Sequence, residues 1–405
     1  MDGKFKVLIT EASYKTSLWV ARSLHNDKFE IYAIDTTKGG ALVSRYTDYP
    51  IITKKEEYLN TIFKIIQEKK IDVVVPHLES TYIKLQDSFK EGRIRIVAPE
   101  KSLADVVSDK IKVINLVKDL VKLPYTKIYE IKDSDSKQGV FTEIYGTVVS
   151  SHKDFILKAS TEIGKNFGPF SRYIVLNHRN IDSIKKRIYK FLNENENVIF
   201  QEYIKGSGIG IGGFWLNGEP ILVGGHKRLI ESHSSGGISV LAESYIHSDA
   251  FIFAKNVMKK LGYTGIGMVE FKLGHDNVPY FMEINPRMWG TLPLYIYAGL
   301  DIPKLAVYYY LGLQIEDIKY QFHEGKRMFF FKDFMTYLPR NIDNLLFLSK
   351  SFFKNLNKIK KSRECSYSRE DIYPFLYDIF LIMRYYIKSG LKLPYKFTRF
   401  IYGVF

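Results

Sequence analysis

Hydrophobic and polar positions in the first part of the chain follow the pattern of a parallel β-sheet with crossover helices. Four short apolar runs have the length and composition of buried strands. They span residues 6–10, 30–35, 72–76 and 94–99. Helical spacing occurs between them, at residues 17–24 and 56–69. Strands that alternate with helices favour a doubly wound α/β domain, which we place at residues 1–107.

The turn after the first predicted strand lacks the glycines of a dinucleotide-binding loop. Residues 10–14 contain no glycine, whereas the dinucleotide fingerprint places three there. The pattern therefore predicts the doubly wound sheet without dinucleotide binding. Open α/β sheets bind ligands beyond the carboxyl ends of their strands, so Glu11, Asp35 and residues 77–80 are candidate substrate contacts. The alternative is that they form ordinary helix caps and turns.

Two further domains are predicted after residue 107. Residues 108–205 favour a small α+β domain, and residues 206–325 favour a larger lobe built on an antiparallel sheet. The small domain has predicted helices up to residue 120 and at 179–192, and strands at 125–130, 155–159 and 198–203. The larger lobe has predicted helices at 250–261 and 302–310. No internal repeat is present in the chain.

Residues 326–405 predict a helical tail that is basic and rich in aromatic side chains. The tail has 16 Lys and Arg against 6 Asp and Glu, a net charge of +10 out of +15 for the whole chain. Such a tail could hold an acidic partner, a membrane surface or nucleic acid. Because the rest of the chain is close to neutral, we expect no nucleic-acid binding. We favour docking of the tail on the protein itself or on a second copy over membrane contact.

A predicted hairpin in the larger lobe carries two carboxylates. Two alternating segments, which begin at Gly267 and Tyr280, flank turn-forming residues 274–277. In such a pair Glu270 and Glu283 can face the same side, and Asn285 shares the face of Glu283 because side chains alternate along a strand. Carboxylate and amide oxygens are ligands suited to Mg²⁺.

Arg287 follows on the same face and supplies a guanidinium fork for a phosphate oxygen. The hairpin therefore predicts a site for a metal ion and a nucleotide. The alternative interpretation is an amphipathic hairpin with a solvated acidic face.

Chain-wide composition agrees with a globular enzyme of two or three domains. The 405 residues are 46% hydrophobic and 25% charged, which is ordinary for such proteins. The single cysteine, Cys365, excludes an intramolecular disulfide and a cysteine-based zinc site, and it fits a reducing compartment. We find no signal-like apolar start and no apolar run near the roughly 20 residues of a spanning helix, and we expect a cytoplasmic protein.

Five motifs, taken in order, resemble the ATP-grasp superfamily, in particular its carbamoyl-phosphate-synthase-like branch of carboxylate–amine ligases. They lie at residues 108–110, 155–159, 201–206, 267–272 and 282–287. The resemblance covers about residues 1–315. It implies an N-terminal α/β domain followed by two α+β lobes that clamp ATP between them. It also implies an ADP-forming ligase that activates a carboxylate as an acyl phosphate for attack by an amine or related nucleophile.

The resemblance also implies roles for individual residues. Lys110 and Lys158 match phosphate-contacting lysines. Residues Gln201, Glu202, Tyr203 and Ile204 match the hinge that contacts adenine. The metal ligands for Mg²⁺, with Mn²⁺ as an alternative, are Glu270, Glu283 and Asn285. Arg228, Arg287 and Lys158 are the candidate catalytic residues.

The sequence departs from the family pattern at two places. The acidic residue that grips the ribose in many relatives is absent from the stretch that follows the hinge, and Glu202 or Ser207 is left for that contact. Residues 164–169 occupy the place of the mobile glycine-rich loop but match it poorly, so an ordinary connecting loop is the alternative. Small-molecule carboxylate and amine substrates are implied, and a homo-oligomer is a reasonable expectation.

Two rival interpretations follow from these departures. The chain could be a catalytically inactive ATP-grasp scaffold that binds nucleotide and uses its basic tail for an acidic partner or a membrane surface. A biotin-dependent carboxylase is also possible within the superfamily, although no residue supports it. A complete carbamoyl-phosphate synthetase would need a second, tandem copy of this unit, and no internal repeat is present in this sequence. The identity of the carboxylate and of the nucleophile cannot be read from the residues.

Overall fold

The computed structural model describes residues 3–25, 28–89, 94–161, 173–315 and 320–390. It has mixed α/β architecture, with one parallel sheet, two other sheets and a helical C-terminal region. This confirms the predicted fold class. No helix of the described part has both the length and the apolar character needed to cross a membrane.

The N-terminal domain is a five-stranded parallel sheet in the order β3-β2-β1-β4-β5. Its elements are β1 (Phe5–Ile9), α1 (Lys15–Leu24), β2 (Phe29–Asp35), β3 (Tyr49–Ile52), α2 (Tyr58–Lys69), β4 (Val73–Val75), α3 (Glu79–Ser88), β5 (Arg95–Ile96) and α4 (Lys101–Val107). Alternate residues of β1 enter two different cores. Val7 and Ile9 pack in the core that includes α1, and Leu8 packs with residues of α2. The sheet therefore has helices on both faces, as a doubly wound fold requires.

The small lobe has a four-stranded sheet in the order β6-β9-β7-β8. It comprises α5 (Lys110–Val117), β6 (Thr126–Glu130), α6 (Ser134–Ser151), β7 (Phe155–Ala159), β8 (Tyr173–Leu176), α7 (Lys185–Glu194) and β9 (Asn197–Glu202). Helix α6 was not predicted from the apolar spacing. Its start is set by a capping box between Asp133 and Ser136.

The large lobe has a seven-stranded sheet in the order β14-β13-β10-β11-β12-β15-β16. Its elements are β10 (Gly206–Leu216), β11 (Glu219–His233), β12 (Gly236–Ser244), α8 (Ser248–Leu261), β13 (Gly265–Gly274), β14 (Pro279–Asn285), α9 (Leu292–Tyr297) and α10 (Ile302–Leu311). Strands β13 and β14 are the predicted hairpin. They pair antiparallel around the turn at residues 275–278.

The C-terminal region is helical but begins with a strand of the large sheet. It comprises β15 (Arg327–Phe329), α11 (Phe331–Tyr337), α12 (Ile342–Lys354), α13 (Leu356–Lys360), β16 (Arg363–Glu364) and α14 (Tyr373–Lys388). Strand β15 pairs with β12, and buried residues of α11, α12 and α14 share one core with β11 and β12. The tail therefore docks on the body of the protein, as we favoured from the sequence.

Candidate active site

Two glutamates lie directly opposite each other on the hairpin of the large lobe. Glu270 of β13 is the register partner of Glu283 on β14, and Asn285 follows two residues later. Opposed residues of an antiparallel pair project from the same face of the sheet. The structure thus brings together the three residues that the sequence predicted as metal ligands.

A chain of alternating charges extends from Glu270 across the sheet. Arg228 of β11 places Nη2 at 2.8 Å from Oε2 of Glu270 and Nη1 at 3.5 Å from Oε1 of Glu231. The ammonium of Lys272 lies 3.0 Å from the other oxygen of Glu231. These four side chains are at most 16% exposed. Such closely spaced buried charges hold one another in fixed positions because each is compensated by its neighbour.

The Ser108-Asp109-Lys110 motif presents its lysine to the second glutamate. Asp109 caps α5 by accepting hydrogen bonds from the amides of Ile111 and Lys112. The cap places Lys110 at the first position of the helix, with its Nζ 3.4 Å from Oε2 of Glu283. Each residue of the motif therefore has a separate local role, since Ser108 donates a 2.9 Å hydrogen bond to Glu79.

Glu79, at the start of α3, connects the N-terminal domain to this site. Its Oε1 lies 3.3 Å from Nε of Arg287, while Oε2 accepts the bond from Ser108. The residues around these contacts enclose a cavity of about 90 Å³. Its polar lining comes from Glu79, Ser108, Lys110, Glu283, Asn285 and Arg287. Sequence reasoning placed Glu79 only among general strand-end candidates, because nothing local marks it as the partner of a residue 208 positions away.

The other strand-end candidates have structural roles. The carboxylate of Glu11 is buried and accepts hydrogen bonds from the hydroxyls of Tyr58 and Thr81 and from the amide of His77. Asp35 accepts from the amides of Ser13 and Thr36. The turn interpretation therefore describes Glu11 and Asp35, whereas Glu79 faces the candidate site.

The two glutamates have opposite electrostatic environments. Burial raises the pKa of Glu270 above its ordinary value, and Glu283 and Glu231 raise it further against the opposing effect of Arg228. Burial acts in the same direction on Glu283, but Lys110, Lys158 and Arg287 outweigh it and lower its pKa. Glu283 is thus the more firmly ionised of the two carboxylates.

The small lobe holds Lys158 and the predicted hinge. Nζ of Lys158 donates a 2.9 Å hydrogen bond to Oε1 of Gln201, whose Nε2 donates to Thr126. Glu202 pairs with Lys153 at 2.9 Å, and the hydroxyl of Tyr203 donates to the carbonyl of Ser235. Tyr203 thereby connects the hinge to the turn between β11 and β12.

Ile204 and Ser207 are half-buried beside the hinge, but the contacts described in the structure assign them no specific partner in the site. The predicted glycine-rich loop at residues 164–169 lies outside the described residues.

Alternate glycines of β10 open space on the site face of the large sheet. A Cβ at Gly208 would lie 2.8 Å from Cδ of Arg228, and one at Gly210 would lie 2.6 Å from the ring of His226. A Cβ at Gly212 would meet the indole of Trp289 at 2.8 Å. Sequence reasoning missed this role, although glycine at every second strand position is a signal of close approach.

The donor set fits a magnesium ion that shares its coordination with phosphate. Among the described residues, no group of three or more His, Cys, Asp and Glu side chains is arranged to hold a metal. Two carboxylates and one amide oxygen are nevertheless suitable, because Mg²⁺ takes one or two protein carboxylates and completes its shell with waters and phosphate oxygens. The neighbouring cations Lys110, Arg228 and Arg287 suit the same polyanion.

The fold agrees with that of solved enzymes bound to adenine nucleotides. An ADP complex of the purK N5-carboxyaminoimidazole ribonucleotide synthetase superposes with a TM-score of 0.60 at 15% identity, over 80% of each chain. The biotin carboxylase domain of Hydrogenobacter thermophilus 2-oxoglutarate carboxylase, bound to MgADP and bicarbonate, gives 0.60 at 17% identity, over 79% of this chain and 73% of that one. The chain has an ATP-grasp fold. The resemblance expected from the motifs is therefore confirmed.

The family model that matches this chain covers mainly the large lobe. A family model described as "ATP-grasp in the biosynthetic pathway with Ter operon" matches residues 194–328, which include Glu270, Glu283 and Asn285. The carbamoyl phosphate synthase large chain of Methanoregula boonei is 32% identical over 117 residues, 27% of this chain and 11% of that protein. The corresponding chain of Thermoanaerobacter sp. is 25% identical over 284 residues, 66% and 24% respectively. The chain thus spans a quarter or less of these curated relatives.

Proposed function

We propose that this protein is an ATP-dependent ligase that joins a carboxylate to an amine or related nucleophile, with release of ADP and phosphate. The observation that carries the proposal is the facing pair of Glu270 and Glu283 with Asn285, surrounded by Lys110, Arg228 and Arg287. The ATP-grasp fold and the family model over the same residues support it. The ADP and MgADP bound in the two solved structures support ATP and Mg²⁺ as the cofactors.

The residues divide into three roles in this proposal. Glu270, Glu283 and Asn285 would hold Mg²⁺, or Mn²⁺ in its place. When bound, the ion would neutralise charge on the β- and γ-phosphates of ATP. Lys110 and Lys158 approach Glu283 closely enough to lower its pKa, which supports the proposal that both contact phosphate beside it. The hinge residues Gln201, Glu202, Tyr203 and Ile204 are the proposed adenine contacts, with Ser207 or Glu202 at the ribose.

Arg228 and Arg287 are the proposed catalytic cations together with Lys158. Arg228 is held by Glu270 and Glu231, and Arg287 is held by Glu79. Groups that are fixed before the reaction can stabilise charge that develops during phosphoryl transfer without a cost of reorganisation. Arg228 lies beside Glu270, and Arg287 lines the same cavity as Asn285 and Glu283, which would suit a carboxylate that becomes phosphorylated there.

The proposal also covers the domain organisation, the substrates, the localisation and the oligomeric state. We infer that the chain divides into four regions, at residues 1–107, 108–205, 206–325 and 326–405, and that the last of them packs on the large lobe. We also infer that the substrates are small molecules and that the protein is cytoplasmic. A homo-oligomer remains the expected state.

Nucleotide product analysis tests the proposal. The full chain would be incubated with Mg-ATP and pooled carboxylates and amines, and the products separated by chromatography. We expect ADP formation that depends on the pool and falls by about 10²-fold or more in Glu283→Gln, since one electrostatic partner in a preorganised site contributes on that order.

Glu219→Gln is the matched control, because Glu219 lies on the same sheet but pairs with the exposed Lys255 and Lys259. Its activity should equal that of the unmutated chain. AMP as the product would contradict the acyl-phosphate mechanism. Equal ADP formation by the Glu283→Gln variant would contradict the proposed site. Mg-ATP binding without turnover on any pool would favour the inactive scaffold.

A further inference from the structure

Helix α14 has an apolar stripe that faces away from the protein. Ile382 and Tyr386 lie on its inner side and pack in the C-terminal core. The outer stripe is formed by side chains that are 47–75% exposed, namely Tyr373, Leu376, Phe380, Met383 and Ile387. Their spacing of three and four residues puts them on one side of the helix. The stripe runs the length of α14, roughly 24 Å at 1.5 Å per residue.

A cleft with two cations adjoins the N-terminal end of this outer stripe. Tyr373 and Leu376 line it together with Lys38 and Arg45 of the N-terminal domain, and its volume is about 530 Å³. Both cations are exposed. Lys38 places its ammonium 5.7 Å from the centre of the Tyr377 ring, and Arg45 donates to the carbonyl of Glu370 at 3.1 Å.

The exposed charges of α14 itself are also positive. Arg384 and Lys388 are exposed at the C-terminal end of the outer stripe. The one acidic residue in the helix, Asp378, is less exposed and pairs with Lys332 at 2.8 Å. Cations therefore flank the apolar stripe at both ends, although the exposed Glu370 accepts a hydrogen bond from Tyr46 near the cleft.

We propose that the outer stripe of α14 docks on the surface of an anionic lipid bilayer. An apolar helix face flanked by Lys and Arg enters the interface between headgroups and acyl chains, while the cations stay near the lipid phosphates. A second copy of the chain fits less well. A parallel pair of α14 helices would bring each Arg384 near its counterpart, and an antiparallel pair would bring Arg384 near Lys38 and Arg45. This proposal does not depend on the ligase function.

Vesicle co-sedimentation of the full chain tests the proposal. The two probes are vesicles of phosphatidylcholine alone and vesicles that also contain phosphatidylglycerol. We expect binding to the anionic vesicles only. The partition coefficient should fall about tenfold or more in Leu376→Asp/Phe380→Asp, because the apolar face that enters the bilayer is lost. It should fall to a similar extent in Arg384→Glu/Lys388→Glu, because each cation near an anionic membrane strengthens binding.

Ile252→Asp is the matched control, because Ile252 on α8 is 53% exposed, close to the 50% and 51% of Leu376 and Phe380. Its partition coefficient should not change, and thermal unfolding should show that all variants fold. Failure of the unmutated chain to bind anionic vesicles would overturn the proposal, as would equal binding by all variants. A dimer that dissociates in Leu376→Asp/Phe380→Asp would assign the stripe to self-association instead.

Discussion

His77 shows how strongly the pKa of a side chain can depend on its surroundings. The ring is 2% exposed, and its Nδ1 lies 3.1 Å from the carbonyl of Thr10. Its Nε2 has no hydrogen-bond partner among the described residues. Burial lowers the pKa of His77 to about 4, and the charge of Arg287 adds to the effect. The imidazole is therefore neutral in the folded protein at neutral pH.

His77 should make the folded protein less stable in acid. An unfolded histidine has a pKa of about 6.5, so the unfolded state binds the proton more tightly. The contribution of neutral His77 is complete above pH 6.5 and is lost as the pH falls from 6.5 towards 4. The loss is on the order of 3 kcal/mol by pH 4. Urea unfolding at pH 7 and pH 4.5 should therefore show a smaller decrease in stability for His77→Gln than for the unmutated chain.

His275→Gln is the control for this prediction, because His275 is exposed in the turn between β13 and β14. Its stability should fall with pH as in the unmutated chain. A His77→Gln variant with the same dependence as the unmutated chain would contradict the prediction.

Strand β10 shows how one element prepares the candidate site. Its odd-numbered residues Ile209 and Ile211 pack in the core behind the large sheet. Its even-numbered glycines leave room on the other face for Arg228, His226 and Trp289. The side-chain period of two therefore separates a core face from a site face within one strand.

Gly208→Ala should destabilise the protein and move Arg228 away from Glu270. The added Cβ would lie 2.8 Å from Cδ and 3.2 Å from Nε of Arg228, and overpacking of this kind typically costs about 1–3 kcal/mol. Urea unfolding would measure the change. Gly146→Ala on α6 is the matched control, since a Cβ there meets nothing within 4 Å. That substitution should stabilise the helix by about 0.5–1 kcal/mol. Equal effects of the two substitutions would contradict the role of Gly208.

The spacing of apolar residues was not sufficient to predict helix α6. The helix has four buried apolar residues, Val140, Phe141, Ile144 and Val148, and it also contains several Ser, Thr and Gly residues, which are weak helix formers. The capping box at Asp133 was the signal that could have located its start. The hairpin of β13 and β14 was easier to predict because a short turn pairs two alternating strands that are adjacent in sequence.

The N-terminal domain and the C-terminal region are joined by hydrogen bonds and an ion pair. Asp371, which is 1% exposed, accepts hydrogen bonds from Nε of Arg22, from Oγ of Ser44 and from the amide of Arg45. The indole of Trp19 donates to the carbonyl of Cys365. The described part of the basic tail is thus part of the protein body, and the outer stripe of α14 is an apolar surface that it leaves exposed.

Asp371→Asn should weaken the attachment of the C-terminal region to the N-terminal domain. Removing one charge leaves Arg22, whose side chain is 10% exposed, without its ionic partner, and breaking a largely buried ion pair in this way costs on the order of 3 kcal/mol. The urea midpoint should fall accordingly. Asp119→Asn serves as the control, because Asp119 is exposed and a surface change of this kind stays within about 0.5 kcal/mol. A midpoint for Asp371→Asn equal to that of the control would show that the tail is held by apolar packing alone.

The sequence by itself determined the fold class and the hairpin of the two strands that carry Glu270 and Glu283, whereas the structure supplied the register that puts the two glutamates opposite each other. The fold class and the hairpin depend on periodicity and turns within short stretches of chain, where side-chain direction follows from the backbone. Only the tertiary structure decided which charges meet. The pairs Glu79–Arg287, Arg228–Glu270 and Arg22–Asp371 join residues far apart in sequence, and no local pattern encodes such a contact, because it exists only after distant elements have packed together.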